Sequence, residues 1–176
     1  NDANIVWEWH LWDHLMQDID NDYPNYGVIS EHPELMNINF GQVGGAGGPG
    51  GEPNGDWLHF NGIDYNEYLD QIVVSALKAS ELFVIDHSTT SEEAAGHEGG
   101  NSGMGGDIPF RWGNPQNYER GNASDRMVYN LHSINWIEPN YPDGGGFIYF
   151  NNGVGRPGGN YSSADVFIPP VDDLLF

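Results

Sequence analysis

The sequence predicts an all-β fold, and two observations carry the prediction. First, two segments read alike, residues 58–65 (Leu-His-Phe-Asn-Gly-Ile-Asp-Tyr) and residues 131–137 (Leu-His-Ser-Ile-Asn-Trp-Ile). Second, each is followed by further short runs of β-branched and aromatic residues, which favour strands. Equivalent strands of a cyclic repeat point equivalent side chains toward one axis. His59 and His132 are therefore expected to meet at a central site, as in a β-propeller.

The predicted strands group into four-stranded antiparallel blades of the propeller type, of which about two are present. Residues 5–9 are expected to be the closing strand of one blade, and residues 10–55 an insertion. Residues 56–112 hold a complete blade, and residues 128–170 a partial next blade. The strands of the complete blade are predicted at residues 58–65, 71–75, 82–86 and 108–112, and those of the partial blade at residues 131–137, 146–151 and 164–168.

The whole chain, residues 1–176, is thus interpreted as one propeller segment. A propeller is stable because its ring of blades closes, and 176 residues are too few for a closed ring. We therefore expect a fragment of a longer chain, or a protomer that completes its ring by self-association.

Charge excludes some partners. The chain has 26 acidic and 5 basic residues, a formal net charge of -21, which opposes binding to nucleic acid or to anionic membranes. No apolar run approaches the length of a membrane span, so membrane insertion is not expected. Two N-glycosylation triplets, at residues 122–124 and 160–162, would suit a secreted protein. An extracellular or periplasmic location is expected.

Two kinds of long loop separate the strands. Residues 41–51 contain seven glycines in eleven positions, and residues 96–106 are also rich in glycine. Segments with so few side chains form flexible loops, or loops ordered by a neighbour. Residues 17–22 form an acidic stretch.

Metal binding is weighed at two places, and no ligand set is assigned. His10 and His14 are four residues apart, which on a helix would place both on one face, but no third ligand accompanies them. Asp18, Asp20 and Asp22 alternate as in a calcium loop. However, Tyr23 stands at the sixth position and Ile29 at the twelfth, so an EF-hand is excluded and only an irregular calcium site remains open.

The sequence resembles the arylsulfotransferase family of bacterial and archaeal propeller proteins over nearly its whole length. The residues that carry the resemblance are Val6-Trp7-Glu8-Trp9-His10-Leu11-Trp12-Asp13-His14-Leu15, His32-Pro33-Glu34-Leu35, Asp56-Trp57-Leu58-His59-Phe60-Asn61, Leu69-Asp70-Gln71-Ile72, Val84-Ile85-Asp86-His87-Ser88-Thr89, Arg111-Trp112-Gly113-Asn114-Pro115 and Phe150-Asn151-Asn152-Gly153-Val154-Gly155-Arg156-Pro157.

This resemblance implies a six-bladed propeller that moves a sulfuryl group between phenolic compounds without a nucleotide sulfate donor and without a required cofactor. A histidine is the nucleophile of that family, and His132 lies where it would lie. His59 and Asn61 look like the family's His-x-Asn pair, which donates hydrogen bonds to the sulfuryl oxygens. An imidazole suits this chemistry because it can attack sulfur and then leave.

The sequence departs from the family in its sulfate-binding arginine, for which Leu77 stands after the strand at residues 71–75. Lys78 is adjacent, but neighbouring strand residues face opposite sides, so Lys78 is not expected to replace the arginine. Two hypotheses follow. One is an aryl-sulfate sulfotransferase that acts through His132, His59 and Asn61. The other is a catalytically inactive, propeller-derived structural or self-assembling extracellular protein.

Overall fold

The fold is all-β, as the sequence predicts. A computed structural model describes residues 3–40 and 55–170, so the glycine-rich segment at residues 41–51 lies outside the described range. Helical structure in the described range is limited to helix α1 (Ser91–Ala94) and short 3-10 turns at Leu11–His14, Ile29–Glu31 and Pro115–Tyr118. The strands are β1 (Leu15–Met16), β2 (Met36–Asn37), β3 (Phe60–Asn66), β4 (Gln71–Ala76), β5 (Glu81–Asp86), β6 (Phe110–Trp112), β7 (Leu131–Trp136), β8 (Phe147–Asn151) and β9 (Ser163–Phe167).

Strands β3 to β6 form a four-stranded antiparallel sheet in sequence order. Two turns, at residues 67–70 and 77–80, join the first three strands. The last residue of each turn, Asp70 and Ser80 respectively, adopts a positive φ. Strand β6 pairs with β5 only after a long connection at residues 87–109, called the excursion below. Near its start, a capping box between Thr90 and Glu93 begins helix α1. The four strands of this antiparallel sheet lie between residues 60 and 112.

Strands β7 to β9 form a second antiparallel sheet, of three strands. It packs on one face of the first sheet, and the Trp112 and Phe167 rings stack 4.1 Å apart across the junction. The buried core between the sheets consists of Val73, Leu82, Val84, Val128, Leu131, Ile134, Trp136, Phe147 and Tyr149. Two consecutive blade-like sheets are therefore present, and the described residues form no closed ring.

Residues 5–9 form no strand within the described part of the chain, so the expected closing strand is wrong at this point. The segment is held by side chains and not by a strand ladder. Trp7 donates from its indole to the Thr89 hydroxyl at 3.2 Å, and Trp9 donates to the Gly106 carbonyl at 2.7 Å. Both indoles also pack against the buried cluster on the second face of the first sheet, which includes Val74 and Phe83.

The insertion adds a small parallel pair of strands, β1 with β2, against the same cluster. No helix among the described residues is long and apolar enough to cross a membrane. The second sheet turns Ile148, Phe150 and Val166 outward, and these three side chains are 40 to 47% exposed. An apolar stripe is thus left on the face of this sheet that points away from the first sheet.

Candidate functional site

The two sheets meet along their first strands, β3 and β7, which run side by side. The Asn61 amide nitrogen donates to the Leu131 carbonyl at 2.9 Å, and the Trp136 backbone N–H donates to an Asp64 carboxylate oxygen at 2.8 Å. Gly62 lies between these contacts, where a Cβ would approach the Ile134 nitrogen to 2.9 Å. Asn61 is consequently bonded to the residue that directly precedes His132.

His132 is the second residue of β7 and is partly buried. It pairs with Phe150 of β8, after which the strand bulges, with Ser133 at a positive φ of 53°. The Asn152 amide nitrogen lies 3.0 Å from His132 Nδ1. Because an amide N–H only donates, Nδ1 accepts this hydrogen bond and the ring proton of the neutral imidazole lies on Nε2.

His59 is held at the start of β3 by a different partner. Its Nδ1 lies 2.6 Å from Asp56 Oδ2, and its φ of 55° turns the chain into the strand. Lys78 Nζ lies 4.0 Å from the same carboxylate oxygen, so a cation does reach this corner. Strand β4 ends at Ala76, so the strand alternation from which Lys78 was expected to face away from the position of Leu77 does not extend to these two residues.

The repeat is real, but its register differs from the expected one by two residues. The backbone N–H of Leu77 donates to the His59 carbonyl, and that of Asn152 donates to the Asn130 carbonyl. Asn130 also shares the positive φ of His59, at 59°. His59 therefore corresponds to Asn130, and His132 corresponds to Asn61.

The matching letters did not reveal this offset, because the hairpin ladders set which residues correspond. Each first strand carries one bulge, between Phe60 and Gly62 in β3 and between His132 and Asn135 in β7. Each bulge adds one residue to its strand, so the correspondence of β3 with β7 is the same before and after the bulges.

Asn61 is engaged on both sides of its amide. Its oxygen accepts from the Ser75 hydroxyl at 2.6 Å while its nitrogen bonds Leu131. It also lines a cavity of about 530 Å³ whose walls are otherwise apolar and include the indoles of Trp7 and Trp9 and the Phe60 ring. An aromatic-walled space with one amide at its edge suits an aryl group.

Asn152 and Arg156 are site candidates that sequence reasoning did not single out. Asn152 follows β8 and bonds His132, and its position corresponds to Leu77 in the first sheet. Arg156 lies four residues further on, where Nη2 donates to the Ser163 hydroxyl at 3.0 Å and lies 3.6 Å from Asp165. The register of the β7–β8 hairpin could have indicated Asn152, because it places the end of β8 beside the start of β7.

His10 and His14, the two histidines that were weighed as a metal pair, lie in different surroundings. His10 is exposed and lies 3.2 Å from Glu8, whereas His14 is fully buried and its Nδ1 lies 2.8 Å from Asp107 Oδ1. The two diverge because residues 11–14 form a 3-10 turn, in which positions four apart do not share a face. In the calcium-like stretch, the Asp20 carboxylate accepts from the Asp22 backbone N–H.

A family model described as Arylsulfotransferase (ASST) matches residues 1–165. Comparisons with curated proteins and with solved structures each give no match.

Proposed function

The chain belongs to the arylsulfotransferase family, and from that premise we propose that it transfers a sulfuryl group between phenolic compounds through His132. One observation carries the choice of residue. His132 starts the inner strand of the second sheet, beside the Asn61 amide, and its ring is oriented by Asn152. An oriented imidazole at a junction of two sheets is the arrangement that nucleophilic transfer requires.

The reaction has two displacements. In the first, the lone pair of His132 Nε2 attacks the sulfur of an aryl sulfate, an N–S bond forms, and the ester S–O bond breaks. The phenolate leaves with the bonding electrons and takes a proton from solvent or a neighbouring acid. In the second, an acceptor phenolate attacks the same sulfur, the N–S bond breaks, and the free imidazole is restored.

Attack through Nε2 requires the tautomer that carries its proton on Nδ1. A half-turn of the Asn152 amide supplies this tautomer, because its oxygen then accepts from Nδ1–H and leaves the Nε2 lone pair free. In this proposal Asn152 is a positioning residue, because the orientation of its amide decides which ring nitrogen of His132 carries the proton.

The sulfuryl oxygens need donors and positive charge. In this proposal the second amide hydrogen of Asn61 and the His59 ring supply hydrogen bonds, and the aromatic cavity beside Asn61 receives the aryl group. Asp56 Oδ2 lies near both His59 Nδ1 and Lys78 Nζ. Lys78 therefore keeps a positive charge close to His59, although Leu77 occupies the position expected for the arginine.

The test is release of phenol from a chromogenic aryl sulfate, with and without a phenolic acceptor. We expect acceptor-dependent release by the native protein and loss of at least a hundredfold in His132→Ala. His10→Ala, which removes an exposed histidine bonded to Glu8, is the matched control and should retain activity. No release by the native protein, or equal release by His132→Ala, would reject the proposal.

A structural role is the second candidate, and the apolar stripe of Ile148, Phe150 and Val166 favours it. The first sheet covers the opposite face of the second sheet, so a further blade-like sheet on this stripe would continue the stacking. We propose that a second copy of the chain, or further blades of a longer chain, covers it. Measuring the native mass of the protein and of Phe150→Asp separates the two: self-association predicts a multimer that the substitution dissociates, whereas a monomer with both sequences excludes it.

A further inference from the structure

A second group of chemically active side chains lies away from His132. His14 from the first 3-10 turn, His97 from the excursion and Asp107 just before β6 each offer one ligand atom, and these atoms all lie within 4.8 Å of one another. Both His14 Nδ1 and His97 Nδ1 are 2.8 Å from Asp107 Oδ1.

The hydrogen bonds of His14 leave a lone pair pointing at the carboxylate. His14 Nε2 lies 2.9 Å from the Ala94 carbonyl oxygen. A carbonyl only accepts, so Nε2 must donate, and Nδ1 of the neutral ring then has no proton. Its lone pair faces an Asp107 oxygen that also has only lone pairs to offer. Two acceptors in contact repel each other unless a cation lies between them.

The ring cannot turn away from this contact. His14 is fully buried, and Trp9 stacks on it with centroids 5.5 Å apart and planes within 2°. On the other side, a Cβ at Gly106 would lie only 2.6 Å from His14 Nε2, so the backbone itself closes the space. The orientation of the lone pair is therefore built into the fold.

We propose that His14, His97 and Asp107 bind a transition-metal ion, with zinc as the best match. Two imidazole nitrogens and one carboxylate oxygen are ligands that zinc accepts at about 2.0 to 2.2 Å. Calcium does not fit, because it prefers six to eight oxygen ligands. The Nε2–H bond from His14 to Ala94 is the type of outer contact that fixes the tautomer of a metal-bound histidine.

The fourth ligand position is open to solvent. The His97 side chain is 59% exposed, and it lines a cavity of about 560 Å³ together with Trp12 and Asp13. A water molecule or a small anion can therefore complete a tetrahedral shell from this cavity. The ion would join the first 3-10 turn to the distant excursion at residues 87–109, and it would stabilise the folded chain because the site does not exist in the unfolded one.

The experiment is zinc titration by calorimetry of chelator-treated protein, with calcium as a parallel titrant. We expect one zinc per chain, and binding at least tenfold weaker in His97→Ala and in Asp107→Asn. His97 is exposed, so its substitution tests the site even if the buried Asp107→Asn protein fails to fold. His10→Ala controls for loss of an exposed histidine, and it should bind zinc as the native protein does.

Thermal unfolding supplies a second measurement, independent of sulfuryl transfer. Zinc should raise the midpoint of the native protein and of His10→Ala, and leave that of His97→Ala unchanged. No zinc binding by the native protein, or equal zinc affinity in the native protein and His97→Ala, would overturn the proposal. Absence of binding would mean that a proton, not a metal, lies between His14 and Asp107. Displacement of zinc by equimolar calcium would also overturn it.

Discussion

Arg111 Nη2 lies 2.6 Å from Glu81 Oε2 inside the first sheet, and both side chains are almost fully buried. Asn117 donates to the same carboxylate oxygen at 2.8 Å. Burial raises the pKa of the Glu81 carboxyl, against the opposing effect of the Arg111 charge. Arg111 Nη1 also donates to the carbonyls of Pro33 and Leu35, both at 3.2 Å. One ion pair therefore joins the insertion and the Pro115–Tyr118 turn to the central strands.

Removing one partner of this pair should strongly destabilise the fold. Arg111→Ala leaves a buried carboxylate without its cation, which costs about 3 to 5 kcal/mol of unfolding free energy. The matched control is Arg120→Ala, which removes an exposed arginine that donates to the Ser30 carbonyl and should cost below about 1 kcal/mol. Urea unfolding measures both, and equal losses in the two variants would contradict the interpretation.

A methyl group at Gly62 should push the two sheets apart. Its Cβ would lie 2.7 Å from Ser75 Oγ and 2.9 Å from the Ile134 backbone nitrogen. We expect Gly62→Ala to lose about 1 to 3 kcal/mol, the usual cost of overpacking. At Gly55 a Cβ meets nothing within 4 Å, so Gly55→Ala is the control and should be nearly neutral. A stable Gly62→Ala protein would mean that the sheets are not closely packed at this point.

The Asp70 carboxylate should make the fold sensitive to acid. The hydrogen bond from His87, at 2.7 Å, lowers the pKa of Asp70, and the bond from the Tyr65 hydroxyl adds to this effect, although burial opposes it. A lowered folded pKa gives stability that is fully present above the ordinary aspartate value near 3.8, and that is lost as the pH falls through the folded value.

The unfolding midpoint should therefore fall more steeply below about pH 4 in the native protein than in Asp70→Asn. Asparagine also tolerates the positive φ of 52° at this position, so the substitution leaves the turn intact. Asp18→Asn, at an exposed position, should keep the native pH profile. Parallel profiles for the native protein and Asp70→Asn would show that the pair adds nothing.

The His132 tautomer should follow residue 152. In the native chain the Asn152 amide nitrogen faces Nδ1, which places the proton on Nε2. In Asn152→Asp only an acceptor faces Nδ1, so the proton should move there. Imidazole nitrogen chemical shifts, measured by NMR with His132→Ala for assignment, report the tautomer directly. Identical shifts in the native protein and Asn152→Asp would refute the positioning role of Asn152.

Local pattern predicted the strands well and the contacts between distant segments poorly. The hairpins of β3, β4 and β5 follow from β-branched runs and turn residues that lie next to each other in sequence. The Ile5–Trp9 run has the same composition, but its indoles bond Thr89 and Gly106, which no local pattern could indicate. The residues beside His14 could not be found from the sequence either, because His97 and Asp107 lie more than eighty residues away from it.

The arrangement of the candidate residues could be predicted only in part, for a related reason. Asn61 and His132 are the second residues of β3 and β7, and His59 directly precedes β3. The structure joins Asn61 to the neighbour of His132, but it bonds His59 to Asp56 instead. The hairpin ladders decide which of these residues correspond, and matching letters in the sequence do not show the register of a ladder.

The uneven lengths of the connections in the first sheet set an order of folding. The turns at residues 67–70 and 77–80 close small loops, so β3, β4 and β5 can pair on the timescale of hairpin formation. Strand β6 must wait until residues 87–109 have been ordered, which carries a larger entropic cost. Changes within that excursion are therefore expected to speed unfolding more than they slow folding.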